Sequence, residues 1–317
     1  RDLAFKEGTG NCADVNLNLV ALLQEIEITT APVILSTRDN GIIYPTHPSV
    51  TRFNYVVAMV TIENQNYLLD ATEPLSCINQ LPQRCLNGQG RIIHPRLNTW
   101  IDLLTKGTNG ITASYELSLN EDGVLSGIAS YMHKGYSALT ERKNIKGYST
   151  QDEYIKSVEK TFDSKITENN IENLDSVQKD LKIKYTLELN NHAEKMGDLI
   201  YFTPIFNPEL KENPFKIEKR EYPVEFVNPE NELSVIQVKI PAGYKVESLP
   251  KPAMINLSDK SCRFVYNLAV VDEQTLKLVI TFNKNKTTFL PEEYNDLKSF
   301  YNIMIEKLNE KIVLKKV

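Results

Sequence analysis

Gly8-Thr9-Gly10-Asn11-Cys12-Ala13-Asp14 opens directly onto the apolar positions Val15, Leu19, Leu22, Leu23 and Ile26. A glycine-bearing entry, a good N-cap residue and an apolar ladder at helical spacing place a helix start at Asn11, with Cys12 in the first turn. Asp14 stands three residues after Asn11, the spacing of a capping box. Backbone N–H groups at a helix start point outward, and the helix dipole favours an anion there. Thiols at such positions are often held as thiolates and serve as nucleophiles. The nearby carboxylate of Asp14 acts in the opposite sense, and a packed structural cysteine is the alternative reading of the same stretch.

A second segment belongs with the first. Phe53-Asn54-Tyr55-Val56-Val57-Ala58-Met59-Val60 reads as a strand, Glu63-Asn64-Gln65-Asn66 as a turn, and Tyr67-Leu68-Leu69-Asp70-Ala71-Thr72 as the returning strand. With Asn64 and Gln65 at the centre of the turn, residues 55, 57 and 59 share a face with residues 70, 72 and 74. Tyr55 and Asp70 then point the same way, at a separation set by the register.

Together these segments resemble the transglutaminase-like superfamily of papain-type thiol enzymes. In that family a cysteine opens a helix, a histidine follows on a strand within an F-N-H motif, and an aspartate lies in an L-D-A-T motif. By position, the resemblance makes Cys12 the nucleophile and Asp70 the residue that orients the imidazole, while the histidine position is Tyr55. Acyl transfer by a thiol needs a group that accepts and returns a proton near pH 7. A phenol titrates near 10 and serves that purpose poorly. Loss of one triad member typically costs on the order of 10⁴ in rate. The chain holds four histidines, His47, His94, His133 and His192. His47, in the loop that precedes the Tyr55 strand, is the best substitute base. An exposed or hydrogen-bonded histidine is the plainer reading of all four.

The whole chain has 317 residues, 41% hydrophobic and 24% charged, with 36 basic and 41 acidic residues and a net charge of −5. That composition describes an ordinary globular protein long enough for two cores. With no basic stripe interleaved with aromatics, nucleic acid is not an expected partner. No apolar run approaches the roughly 20 residues of a membrane-spanning helix. Among the four cysteines, Cys77 and Cys85 flank the loop Ile78–Arg84, where an oxidising compartment would permit a bridge, while Cys262 lies in an alternating strand. Neither zinc spacing nor a calcium loop is present, so no metal or cofactor is expected. The chain opens only a few residues before the Cys12 motif, and the resemblance therefore implies that an upstream N-terminal part of the same precursor completes the domain.

Residues 1–105 are thus expected to form the transglutaminase-like domain, with a linker at Lys106-Gly107-Thr108-Asn109-Gly110. From 106 to 317 the pattern is mostly β. Alternating strands are expected at 111–119, 124–131, 181–189, 198–203, 222–227, 233–240, 262–270 and 275–283. A helical insertion near 136–162 interrupts them, and a helix at 291–311 closes the chain, with a basic tail at Lys315-Lys316-Val317. The fold class is therefore α+β: a papain-type domain followed by a β-sandwich-like domain. Arg220-Glu221-Tyr222-Pro223-Val224, Ile240-Pro241-Ala242-Gly243-Tyr244, Glu247-Ser248-Leu249-Pro250 and Pro291-Glu292-Glu293-Tyr294 resemble the β domain that follows transglutaminase-like domains in bacterial envelope proteins. This implies an exported, periplasmic or cell-surface protein. Two functions remain open: a peptide- or protein-binding module impaired in catalysis by Tyr55, or a thiol protease or amidase using Cys12 with a base such as His47.

Overall fold

The computed structural model describes residues 8–47, 49–96, 99–104, 109–206 and 212–317. Residues 106–108 of the expected linker 106–110 and the opening residues 1–7 lie outside them, while Gly110 begins a strand. Apart from the short segment 175–178, the chain divides into two compact units, with the boundary between Leu104 and Asn109.

In the first unit, helix α1 (Cys12–Glu25) packs on a five-stranded antiparallel sheet in the order β3-β2-β1-β4-β5. Its strands are β1 (Thr30–Leu35), β2 (Tyr55–Ile62), β3 (Gln65–Leu69), β4 (Gln89–Ile92) and β5 (Trp100–Asp102). Strand β2 is apolar on both faces and buries five consecutive residues, Val56 to Val60. The β2–β3 turn differs from the sequence expectation. Ile62 pairs with Gln65, so Glu63 and Asn64 form the tip, both in the left-handed region with φ of 49° and 63°. Such a two-residue turn matches the twist of paired strands. Moving the tip by one residue keeps the parity of the two strands and brings residue 55 level with residue 72.

The inward face of α1 also differs from the apolar ladder. Leu22 and Ile26 are 57% and 65% exposed, whereas Asn16 and Val20 are buried. The helix is rotated to point Asn16, one turn beyond Cys12, at polar groups on the ends of β2 and β3.

The second unit is β-rich. Its eight-stranded sheet runs β15-β16-β17-β13-β6-β7-β9-β8, antiparallel except for the parallel pair β13 (Glu230–Lys239) and β6 (Gly110–Leu119). The other members are β7 (Leu125–Lys134), β8 (Ser164–Glu172), β9 (Leu181–Leu189), β15 (Ala253–Asn256), β16 (Cys262–Asp272) and β17 (Thr275–Lys284). At the start of β6 only glycine fits, because a Cβ on Gly110 would lie 1.9 Å from the Asn231 carbonyl oxygen. A four-stranded sheet, β10 (Ala193–Met196), β11 (Leu199–Phe202), β19 (Ile312–Lys316) and β14 (Tyr244–Ser248), shares one apolar core with the large sheet. A two-stranded pair, β12 (Val224–Glu225) and β18 (Thr288–Phe289), completes the strands.

The helical insertion is two helices, α2 (Tyr136–Gly147) and α3 (Gln151–Phe162), the second capped by the Thr150 side chain. Helix α4 (Tyr294–Leu308) buries the stripe Tyr294, Leu297, Tyr301, Met304 and Leu308. The basic ending is not a solvated tail: Lys315 and Lys316 pair with β11 and β14 as part of β19. Their side chains stay in water while the backbone closes a ladder. The alternation of Ile312 and Leu314 is what selects the strand.

Candidate functional site

Asn11 caps α1 through its side-chain oxygen, which accepts from the N–H groups of Ala13 at 2.9 Å and Asp14 at 3.0 Å. Asp14 accepts in turn from the Asn11 N–H at 3.0 Å, completing the capping box. Cys12 is thereby fixed as the first helical residue, half-buried, with its Sγ 4.0 Å from the Asn54 carbonyl oxygen. The Asn54 side chain accepts from the Thr37 N–H at 2.9 Å and donates to the Thr37 hydroxyl at 2.7 Å, which holds the strand entry.

Asp70, just past the end of β3, gathers the other residues. Its Oδ2 accepts from the Tyr55 hydroxyl at 2.8 Å. Its Oδ1 accepts from Asn16 Nδ2 at 2.9 Å and from the Thr72 N–H at 2.8 Å. The Tyr55 proton is therefore committed to the carboxylate. The phenol oxygen in turn accepts from Arg84 Nη2 at 2.8 Å, and the Thr72 hydroxyl, 2.8 Å away, is left to donate to it. The Arg84 guanidinium also lies over the Tyr55 ring, 5.2 Å from its centroid. One donor and two acceptor positions make up the hydrogen-bonding capacity of a phenol, and all three are used. Burial, followed by the charge of Asp70 among the raising influences, pushes the Tyr55 hydroxyl up to about 12. Tyr55 stays a neutral donor at neutral pH, with no lone pair left for a thiol proton.

Asn16 and Arg84 are absent from the sequence-level constellation. Asn16 is fully buried and bonds three ways: to the Val56 carbonyl oxygen at 2.9 Å, to Asp70, and from the Ala71 N–H at 2.8 Å. A lone amide on the inward face of a helix, one turn after the cysteine, was the available signal. Arg84 sits in the loop between Cys77 and Cys85, where no local pattern marks it as part of a site. Those two are not bridged, and none of the four cysteines is in a disulfide. The Cys77 thiol donates to Gln80 Oε1 at 3.3 Å, whereas Cys85 is buried and burial pushes its thiol up to about 12.

The structure brings Tyr55 and Asp70 into hydrogen-bond contact. The His47 ring is exposed, and its hydrogen bond is local, Nδ1 to the Thr46 hydroxyl at 3.0 Å. His94 accepts from the Arg96 N–H at 3.2 Å, while His133 and His192 belong to the second unit. Among the described residues, no group of three metal-ligating side chains converges.

A family described as a domain of unknown function with solved structure, DUF3858, matches residues 198–314. Among solved structures, a crystal structure described as a putative protease from Parabacteroides distasonis superposes with a TM-score of 0.54 at 12% identity. The likeness is one of fold. The alignment covers 99% of this chain, which spans 45% of that protein's length. No curated protein matches the chain. The chain is a mixed helix–sheet protein, mostly β, with a helix near its C-terminus, related in fold to a protein described as a protease. Among the described residues, no helix is long and apolar enough to cross a membrane.

Proposed function

We propose that the first unit is a transglutaminase-like cleft without a working base, and that it binds a peptide or protein segment instead of cleaving it. The observation that carries this is the saturation of the Tyr55 hydroxyl by Asp70, Thr72 and Arg84. A phenol in that state neither takes a proton from Cys12 nor returns one to a leaving amine. Cys12 at the capped start of α1 and the carboxylate of Asp70 just past the end of β3 support the transglutaminase-like reading, as does the fold-level likeness to a protein described as a protease. In this reading residues 1–105 are the transglutaminase-like domain, 106–317 the β-sandwich-like domain, and the protein is exported to the periplasm or cell surface.

The test is hydrolysis of an activated ester and of a generic peptide amide by the native chain, by Cys12→Ala and by Tyr55→His. Native and Cys12→Ala proteins are expected to be equal, and Tyr55→His to gain hydrolysis that Cys12→Ala abolishes. Cys12-dependent turnover by the native chain would sink the binding reading and restore an active thiol protease or amidase.

A further inference from the structure

The second unit contains an open cavity of about 470 Å³, within the roughly 300–1,000 Å³ range of small-molecule sites. Its floor is one face of the large sheet, where Ala113 on β6 and Ile183 on β9 flank Tyr131 on β7. Helix α3 contributes Val158 and helix α4 contributes Met304 to the walls. A small residue beside a long aromatic one leaves the space between the helices unfilled.

Two pairs of phenols face this space, and their proton counts differ. Tyr154 donates to Glu141 Oε1 at 2.6 Å, so Tyr185, 2.9 Å from the Tyr154 hydroxyl, donates to Tyr154. Every proton of that chain has an acceptor. The Tyr115 and Tyr131 hydroxyls lie 2.9 Å apart and share a single hydrogen bond. Two O–H groups bring two protons, and one bond uses one of them. Among the described residues neither hydroxyl has another partner, so the pair keeps one donor in reserve for a bound molecule. Burial raises both hydroxyls above their ordinary range, which keeps them protonated. Among the described residues the lining also includes Glu141, Glu230 and Glu232 and has no lysine or arginine; Glu230 is paired with Lys284 at 2.8 Å, and the remaining carboxylates present like charge to an anionic head group.

We propose that this cavity is a binding site for a small uncharged amphiphile, an alkyl or aromatic body bearing an amide or ester carbonyl that accepts the spare Tyr115/Tyr131 proton. The proposal is independent of the reading of the first unit.

The experiment uses the full chain and the neutral fluorophore N-phenyl-1-naphthylamine, displaced by decanamide or by decanoate at pH 8. Decanamide is expected to displace the probe at concentrations about tenfold lower than decanoate, given one hydrogen bond gained and like-charge repulsion avoided. In the double variant Tyr115→Phe/Tyr131→Phe the probe should still bind, while decanamide displaces it about tenfold less well. Val158→Trp, checked by thermal melting, should remove probe binding by filling the cavity. Should Val158→Trp unfold, the phenylalanine pair alone decides, since it keeps both rings. Absence of probe binding to the native chain, equal displacement by decanamide and decanoate, or a double variant indistinguishable from native would overturn the proposal.

Discussion

Each unit contains a tyrosine that donates its proton to a carboxylate, and the two pairs differ in what closes them. In the first unit Tyr55 donates to Asp70 at 2.8 Å, and a cation, Arg84, donates back onto the phenol at 2.8 Å. In the second, Tyr154 donates to Glu141 at 2.6 Å, and the group behind it is another phenol, Tyr185, at 2.9 Å. The first arrangement sets a cation against its carboxylate and fills both lone pairs of the phenol. Among the described residues the second has no lysine or arginine lining its cavity, and it faces open space. The same donor–acceptor pair thus serves as a plug in one unit and as the wall of a cavity in the other. The neighbouring donor decides which.

The comparison predicts a hierarchy of costs. The largest effect belongs to Asn16, which supports the Asp70 side of the first pair. Asn16→Leu strips hydrogen bonds from the Val56 carbonyl, the Asp70 carboxylate and the Ala71 N–H at once, and should destabilise by about 3–5 kcal/mol in urea unfolding. A loss under about 1 kcal/mol would mean that water replaces the amide and that the site is not built around it.

Next comes Tyr154→Phe, expected to cost about 2 kcal/mol because Glu141 and Tyr185 both lose their partner. Tyr55→Phe should cost less, about 1 kcal/mol, since Arg84 can then approach Asp70 directly. If the order of these two reverses, the guanidinium is not the element that distinguishes the pairs.

A pH titration sharpens the same point. The fold raises Tyr55 from 10.0 to about 12, so it favours the neutral phenol. That contribution is complete below pH 10 and is lost as the pH rises toward 12. The stability difference between native protein and Tyr55→Phe should therefore shrink across this window, in urea midpoints measured from pH 8 to 12. A constant difference would show that the phenol is not perturbed.

The smallest effect is a control on the surface. Lys316 Nζ lies 3.3 Å from Glu121, with both side chains about half exposed. Lys316→Gln should change stability by less than about 0.5 kcal/mol, well below any change at either tyrosine.

The capped start of α1, the alternating strands at 181–189 and 275–283, and the stripe of α4 are all legible in the sequence. In each, the controlling interactions lie within a few residues, where capping chemistry and side-chain periodicity of 2 or 3.6 act directly. Parity likewise placed Tyr55 and Asp70 on one face even though the turn was one residue out of place. Two short elements are not read from the sequence: β10, a four-residue edge strand whose side chains are mostly polar, and β19, a five-residue strand whose partners β11 and β14 lie far back in the chain.

Beyond those local features, the outcome depended on long-range packing. The sequence by itself determined a thiol at a helix start, a carboxylate on a returning strand and a tyrosine where an imidazole is expected. Only the tertiary structure decided that Asn16 turns inward in place of the apolar ladder and that Arg84, fourteen positions after Asp70, closes over Tyr55. It also decided that Tyr115 and Tyr131 meet beside an unfilled cavity with one proton to spare. These are balances of hydrogen-bond capacity among groups far apart in the chain, and such a balance exists only once packing has brought the groups together.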